Sequence, residues 1–279
     1  QWQKENRAER GLALGNEAYE EHRYEDAARY LGRYVGVYTD NIPALLKYAD
    51  SQLKTRPQRE NNVQQAIGTY HIVLREDPAN SEAAKRLIGL YLEWGMAGQA
   101  ESIAKKHLET TKSSEVRRLL AMALAGQRKF DEAVAELKSI VADEPNQVLA
   151  CEALGQLAEQ LPGQFSDPPE HWYDEAIKNN PSTALAYIAR AGFHLKRKDN
   201  ANAYADLEKA EKLDLSDTAV RLRLAVELLN AGASDRAEKH LAAVKETEPT
   251  DQVLWRTGAQ LALRTRSQAK MLEVAESGL

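Results

Sequence analysis

The sequence predicts an all-α chain built from helix pairs stacked along its length. Three observations carry this. Apolar residues recur at helical spacing in one segment after another. A buried-type alanine opens the second helix of each pair at a near-constant interval. Prolines preceded by acidic or polar residues end helices on the same beat.

The clearest copy runs from Gln127 to Asn146. Phe130, Ala133, Val134, Leu137, Ile140 and Val141 form one apolar helix face. Asp131 and Glu132 lie in the first turn, where the positive end of the helix dipole favours them. Pro145 stops the helix, because its ring disfavours helical geometry at Glu144.

The opening alanines are Ala27, Ala66, Ala100, Ala133, Ala203 and Ala237. Ala100 to Ala133 is 33 residues and Ala203 to Ala237 is 34. Ala27 to Ala66 is 39, which places an insertion around Pro57. Ala133 to Ala203 is 70, so one degenerate unit lies between them. Pro78, Pro145, Pro181 and Pro249 keep the same register. The units expected are 8–41, 42–80, 81–113, 114–147, 148–181, 182–217, 218–251 and a partial 252–279. The fifth is irregular. Pro162, Pro168 and Pro169 break it where a tight turn belongs, and its second helix starts near Pro169.

This pattern resembles the tetratricopeptide repeat family. The matching residues include Leu14-Gly15 with Ala27, Leu120-Ala121 with Ala133 and Pro145, Leu154-Gly155 with Pro181, Leu224-Ala225 with Ala237 and Pro249, and Trp255 with Gly258. The resemblance spans nearly the whole chain. It implies a right-handed α-α superhelix, a solenoid of about seven to eight helix pairs, treated as one domain over 8–279. A lone pair cannot bury its apolar face, so pairs stack.

Composition fits a folded helical chain. The 279 residues carry 42 acidic and 37 basic side chains, a formal net charge of -5. Mild acidity argues against a general nucleic-acid binder. Cys151 is the single cysteine, so no intrachain disulfide forms. No apolar run is long enough to span a bilayer. The chain begins at Gln1, so cytoplasm is the default expectation, with a removed N-terminal signal or membrane anchor as the alternative.

The sequence offers no catalytic, metal or cofactor motif. Six histidines occur without zinc-helix spacing, and there is no phosphate loop or nucleophile elbow. Cys151 falls at an apolar helix position and reads as a small core residue. Tyr30, Tyr34 and Tyr38 share one helix face and read as packing between the first two units, with Tyr38 nearest the surface.

The family resemblance also implies where a groove lies. Inward positions of the first helices would be Leu12, Asn16 and Tyr19, then Leu46, Asp50 and Leu53, then Lys85, Gly89 and Leu92. Arg118, Met122 and Ala125 follow, then Glu152, Gln156 and Glu159. Ile188, Gly192 and Leu195 come next, then Leu222, Val226 and Leu229. This gives a basic spot at Lys85 and Arg118 and an acidic spot at Glu152 and Glu159. It also gives an apolar run through Ile188, Leu195, Leu222, Val226 and Leu229. That run reads either as a contact surface or as core covered by 252–279. Leu12 and Asp50 stand against a clamp for a terminal carboxylate.

The function expected is a non-enzymatic protein-protein interaction scaffold. It would hold a peptide or helix of a protein partner on the concave face, with no cofactor and no nucleic acid. The alternatives are a non-catalytic arm of a larger enzyme, such as a transferase, or a self-associating homo-oligomeric module.

Overall fold

The computed structural model describes residues 2–276. Among the described residues it contains α-helices and one short 3-10 turn, with no strand. The chain divides into two compact units, Gln1–Ala133 and Val134–Leu279.

The first unit holds α1 (Trp2–Glu20), α2 (Tyr24–Val35), α3 (Ile42–Lys54), α4 (Glu60–Glu76), α5 (Ser81–Glu93), α6 (Ala97–Leu108) and α7 (Ser114–Gly126). It also holds the start of α8 (Phe130–Asp143). Helix α1 begins ahead of residue 8, the expected start of the first repeat. Asn6 and Arg7 are exposed there, so the extra turn adds little apolar period to read.

The second unit holds the rest of α8, then α9 (Val148–Gln160), α10 (Pro169–Asn179), α11 (Ala184–Lys196), α12 (Asn200–Glu211), α13 (Thr218–Asn230), α14 (Ser234–Thr247), α15 (Gln252–Thr265) and α16 (Gln268–Glu276). A 3-10 turn, Pro162–Gln164, separates α9 from α10.

Five first helices, α3, α5, α7, α13 and α15, start on polar caps. The side chains of Asn41, Asn80, Ser113, Asp217 and Asp251 accept hydrogen bonds from backbone N–H groups of their own first turns. Each satisfies a donor the helix cannot use itself. The repeating alanines are where helices approach closest: Ala27, Ala66, Ala100, Ala133, Ala203 and Ala237 are all fully buried.

The turn inside a pair has one recurring form. His22, Gly95, Arg128, Lys198, Gly232 and Arg266 all adopt a left-handed backbone, with φ from 52° to 84°. Around each, two hydrogen bonds close the helix end. At Gly95 they are Gly95 N–H to Leu92 O and Met96 N–H to Tyr91 O. The second is a six-to-one bond, which makes this a Schellman stop. The second pair, with Pro57, and the fifth pair, with its 3-10 turn, do not use it.

Half-buried Arg190 pins α11 in the second unit. It donates to Asp206 on α12 at 2.9 and 2.7 Å and to Asp174 on α10 at 2.8 Å. Asp206 is buried, so its charge depends on that partner. The bonds to Asp206 and Asp174 raise the Arg190 pKa further above its ordinary value.

Candidate functional site

Besides a recess of about 500 Å³ between α14, α15 and α16, two recesses are lined mainly by first helices, one in each unit, and they differ in charge balance. The smaller, of about 180 Å³, is lined by Tyr19, Leu46, Lys47, Asp50, Lys54, Tyr70, Glu82 and Arg86. Each charge there is answered locally. The Tyr19 hydroxyl donates to Asp50 Oδ2 at 2.6 Å, and Lys54 Nζ lies 3.1 Å from the same oxygen. Lys47 pairs with Glu20 at 3.0 Å, and Arg86 with Glu82 at 2.9 Å.

The larger recess, of about 480 Å³, belongs to the second unit. Helix α9 contributes Glu152 and Gln156, α11 contributes Gly192, Leu195 and Lys196, and α13 contributes Arg223, Glu227 and Asn230. Its wall is completed by Tyr173 and Phe193, stacked with ring centroids 4.8 Å apart. Tyr173 comes from the second helix α10 and reaches the recess by crossing α9 at Gly155. A Cβ there would lie 2.5 Å from Tyr173 Cε2. Glycine is needed at this crossing for room, not for backbone freedom.

Charge in the larger recess is mostly compensated. Arg223 pairs closely with Glu152, 71 residues earlier in the chain. Lys196 lies 3.6 Å from Glu159. Burial, with Glu159 and Glu152 nearby, pushes the Tyr173 hydroxyl above its ordinary range, so it stays protonated.

Of the residues expected to line a groove, the structure brings Glu152, Gln156 and Leu195 together in this larger recess, with Gly192. Tyr19, Asp50 and Leu46 line the smaller one. The apolar run does not form a free surface. Ile188, Leu222 and Leu229 are buried at 0, 6 and 1% exposure, in one core cluster with Leu254, Trp255, Leu261 and Val274. Among the described residues of the last segment, Leu254, Trp255, Leu261 and Val274 belong to that cluster. Val226 is half-buried on α13.

The expected charge spots are altered too. Lys85 pairs with Glu115 at 2.8 Å, so it is not a free basic spot. Arg118 is half-buried with Nη1 3.2 Å from Met122 Sδ, and Met122 is exposed. Glu152 and Glu159 are answered by Arg223 and Lys196, so the acidic spot is largely neutralised. Asn16 is half-buried on α1, and Leu12 packs with Leu31 in the core.

Sequence reasoning missed Arg223, Glu227 and Asn230. Each follows an expected residue, Leu222, Val226 or Leu229, by one position. One residue is about 100° around a helix, enough to exchange core for recess. Charge and amide character at 223, 227 and 230, spaced four and three apart, is the signal that marks the open face of α13.

Among the described residues no group of His, Cys, Asp and Glu could hold a metal ion. No described helix is long and apolar enough to cross a membrane. Cys151 is buried, which pushes its thiol up to about 11.

No protein-family profile and no curated protein matches the chain. Solved structures do. MamA 41-end from Desulfovibrio magneticus RS-1 superposes with a TM-score of 0.52 at 14% identity, over 63% of this chain and 96% of that one. A second MamA protein gives 0.51 at 13% identity, over 63% and 92%. A tetratricopeptide repeat protein from Parabacteroides merdae ATCC 43184 covers 85% of this chain and 93% of its own. At 14% identity its TM-score is 0.45, too loose a superposition to argue from. At such identities the likeness is one of fold.

Proposed function

We propose that this chain, whose fold is the tetratricopeptide-type helical repeat, is a protein-interaction scaffold. It holds an extended peptide segment of a partner in the recess of its second unit lined by α9, α11 and α13. The reading includes no catalytic step.

One observation carries it. Three first helices, α9, α11 and α13, turn polar side chains into a single recess of about 480 Å³. Gln156, Asn200 and Asn230 line that recess together, and amides can both donate to and accept from a peptide backbone. An extended segment offers such groups. A helix has already used its own, which makes it the poorer fit. The wall residues Tyr173 and Phe193 are locked by stacking, so the recess is formed before a ligand arrives.

The test is a random-peptide display library panned on the intact chain. Selected peptides should lose binding to a Gln156→Arg, Asn230→Arg double variant whose melting curve matches wild type. Undiminished binding to that variant would remove the recess from consideration.

Self-association is the second reading, favoured by three exposed apolar side chains near the end of the second unit. Leu263 on α15 is 66% exposed, with Met271 and Leu272 on α16 also open. Light scattering over a concentration series separates the two readings, since a strict monomer excludes this one.

A further inference from the structure

Glu227 is the uncompensated charge of the larger recess. Its Oε2 accepts a hydrogen bond from Asn230 Nδ2 at 3.2 Å, and among the described residues no cation pairs with it. Arg223, one turn earlier on the same helix, turns away to Glu152. Lys196, the other cation of the recess, lies against Glu159. Gly192 of α11 faces the carboxylate. A Cβ there would stand 3.3 Å from Glu227 Oε1, so the missing side chain keeps one side of the carboxylate open.

A second polar side chain lines the same recess. Tyr173 is 1% exposed and lines the recess, yet its hydroxyl makes no hydrogen bond among the described residues. A hydroxyl at the recess that has no protein partner is free to bond a ligand group. The smaller recess of the first unit offers the contrast, because Asp50 and Glu82 already hold Lys54 and Arg86.

We propose that the larger recess selects a basic side chain, lysine or arginine, in the bound segment, with its cation on the Glu227 carboxylate and the Tyr173 hydroxyl as a further acceptor in the recess. This rests on the peptide-scaffold reading above and names the chemistry that reading leaves open. A carboxylate in a partly desolvated recess is most improved by a charged donor, and such bonds are about twice as strong as neutral ones. The closed Arg223–Glu152 pair keeps a second cation from being required and leaves no free cation to draw an acidic ligand.

The experiment uses fluorescein-labelled peptides taken from the display selection, titrated against the intact chain by anisotropy. Selected sequences should share a lysine or arginine at one position. Replacing it with norleucine or glutamine should weaken binding about tenfold or more. Glu227→Gln, which keeps the side chain's shape, should produce a similar loss and remove the preference for the basic residue. Tyr173→Phe, which retains the ring packing, should weaken binding severalfold. Glu227→Lys should favour an acidic residue at that position.

The outcomes separate the two ideas. Peptides that bind and are lost in the Gln156→Arg, Asn230→Arg variant, but lack a common basic residue and tolerate Glu227→Gln, overturn this inference and leave the scaffold reading standing. Peptides indifferent to the double variant overturn both.

Discussion

Tyr173 passes over α9 at Gly155, where a single added carbon would lie 2.5 Å from the ring. The ring cannot retreat, because it is buried and stacked on Phe193. The close approach of these two residues lets an aromatic from a second helix wall a recess built by first helices.

Gly155→Ala is therefore expected to destabilise the second unit by about 1–2 kcal/mol, since overpacking outweighs the gain in helix propensity. Gly89→Ala is the control. Nothing lies within 4 Å of a Cβ at Gly89, so it should be neutral or stabilise by up to about 1 kcal/mol. The urea midpoint should fall for Gly155→Ala and stay or rise for Gly89→Ala.

Leu229 tests the core assignment. At 1% exposure, Leu229→Ala should cost about 2–5 kcal/mol. Leu222→Asp or Leu229→Asp should unfold the second unit outright. Hydrogen exchange would then show broad loss of protection in α13 and its neighbours. A normal exchange pattern with altered binding alone would return these residues to the surface.

Glu101 sets an acid limit on the first unit. Hydrogen bonds from Lys105, Lys129 and Gln127 hold its pKa at about 2, against an ordinary 4.5. A folded value below the unfolded one gives stability that is whole above about pH 4.5. It drains away as the pH falls toward 2. Glu101→Gln should be less stable than wild type at pH 7, and the gap should narrow by about pH 3. Thermal midpoints at the two pH values check this.

Cys151 should be inert in the folded chain. Burial among Val148, Ala176 and Ala186 removes access, and a thiol at about 11 holds almost no thiolate at neutral pH. A disulfide reagent should react negligibly with native protein and stoichiometrically in denaturant. Fast labelling of the folded chain would contradict the packing.

Much of the fold is legible in the sequence because its signals are local and repeated. Alanine at the close contact, an Asx or serine cap and a proline stop act within one unit, so each copy reinforces the others. The recess is legible only in part. Glu152 and Gln156 follow from helix position, and so does Tyr19 beside Asp50. The open face of α13 does not follow. This helix packs on its neighbours through Leu222, Leu224 and Leu229, and that apolar stripe masks the polar one beside it. The Tyr173 crossing cannot be read at all. It depends on contact between two helices on either side of an irregular break, and glycine at 155 looks like an ordinary element of the repeat.

The left-handed stop that recurs in six of the pairs opens a route to a hardier chain. His22, Arg128, Lys198 and Arg266 hold a left-handed backbone that Gly95 and Gly232 adopt freely. A side chain in that conformation costs on the order of 1 kcal/mol. These four positions stand at turns outside both recesses. Glycine at Arg128, Lys198 and Arg266 would raise the melting temperature while leaving both recesses as they are; His22 stays, because its Nδ1 lies 2.8 Å from the hydroxyl of buried Tyr24. Such a toughened background would tolerate recess variants that the native chain could not carry, and engineering of new specificities could begin there.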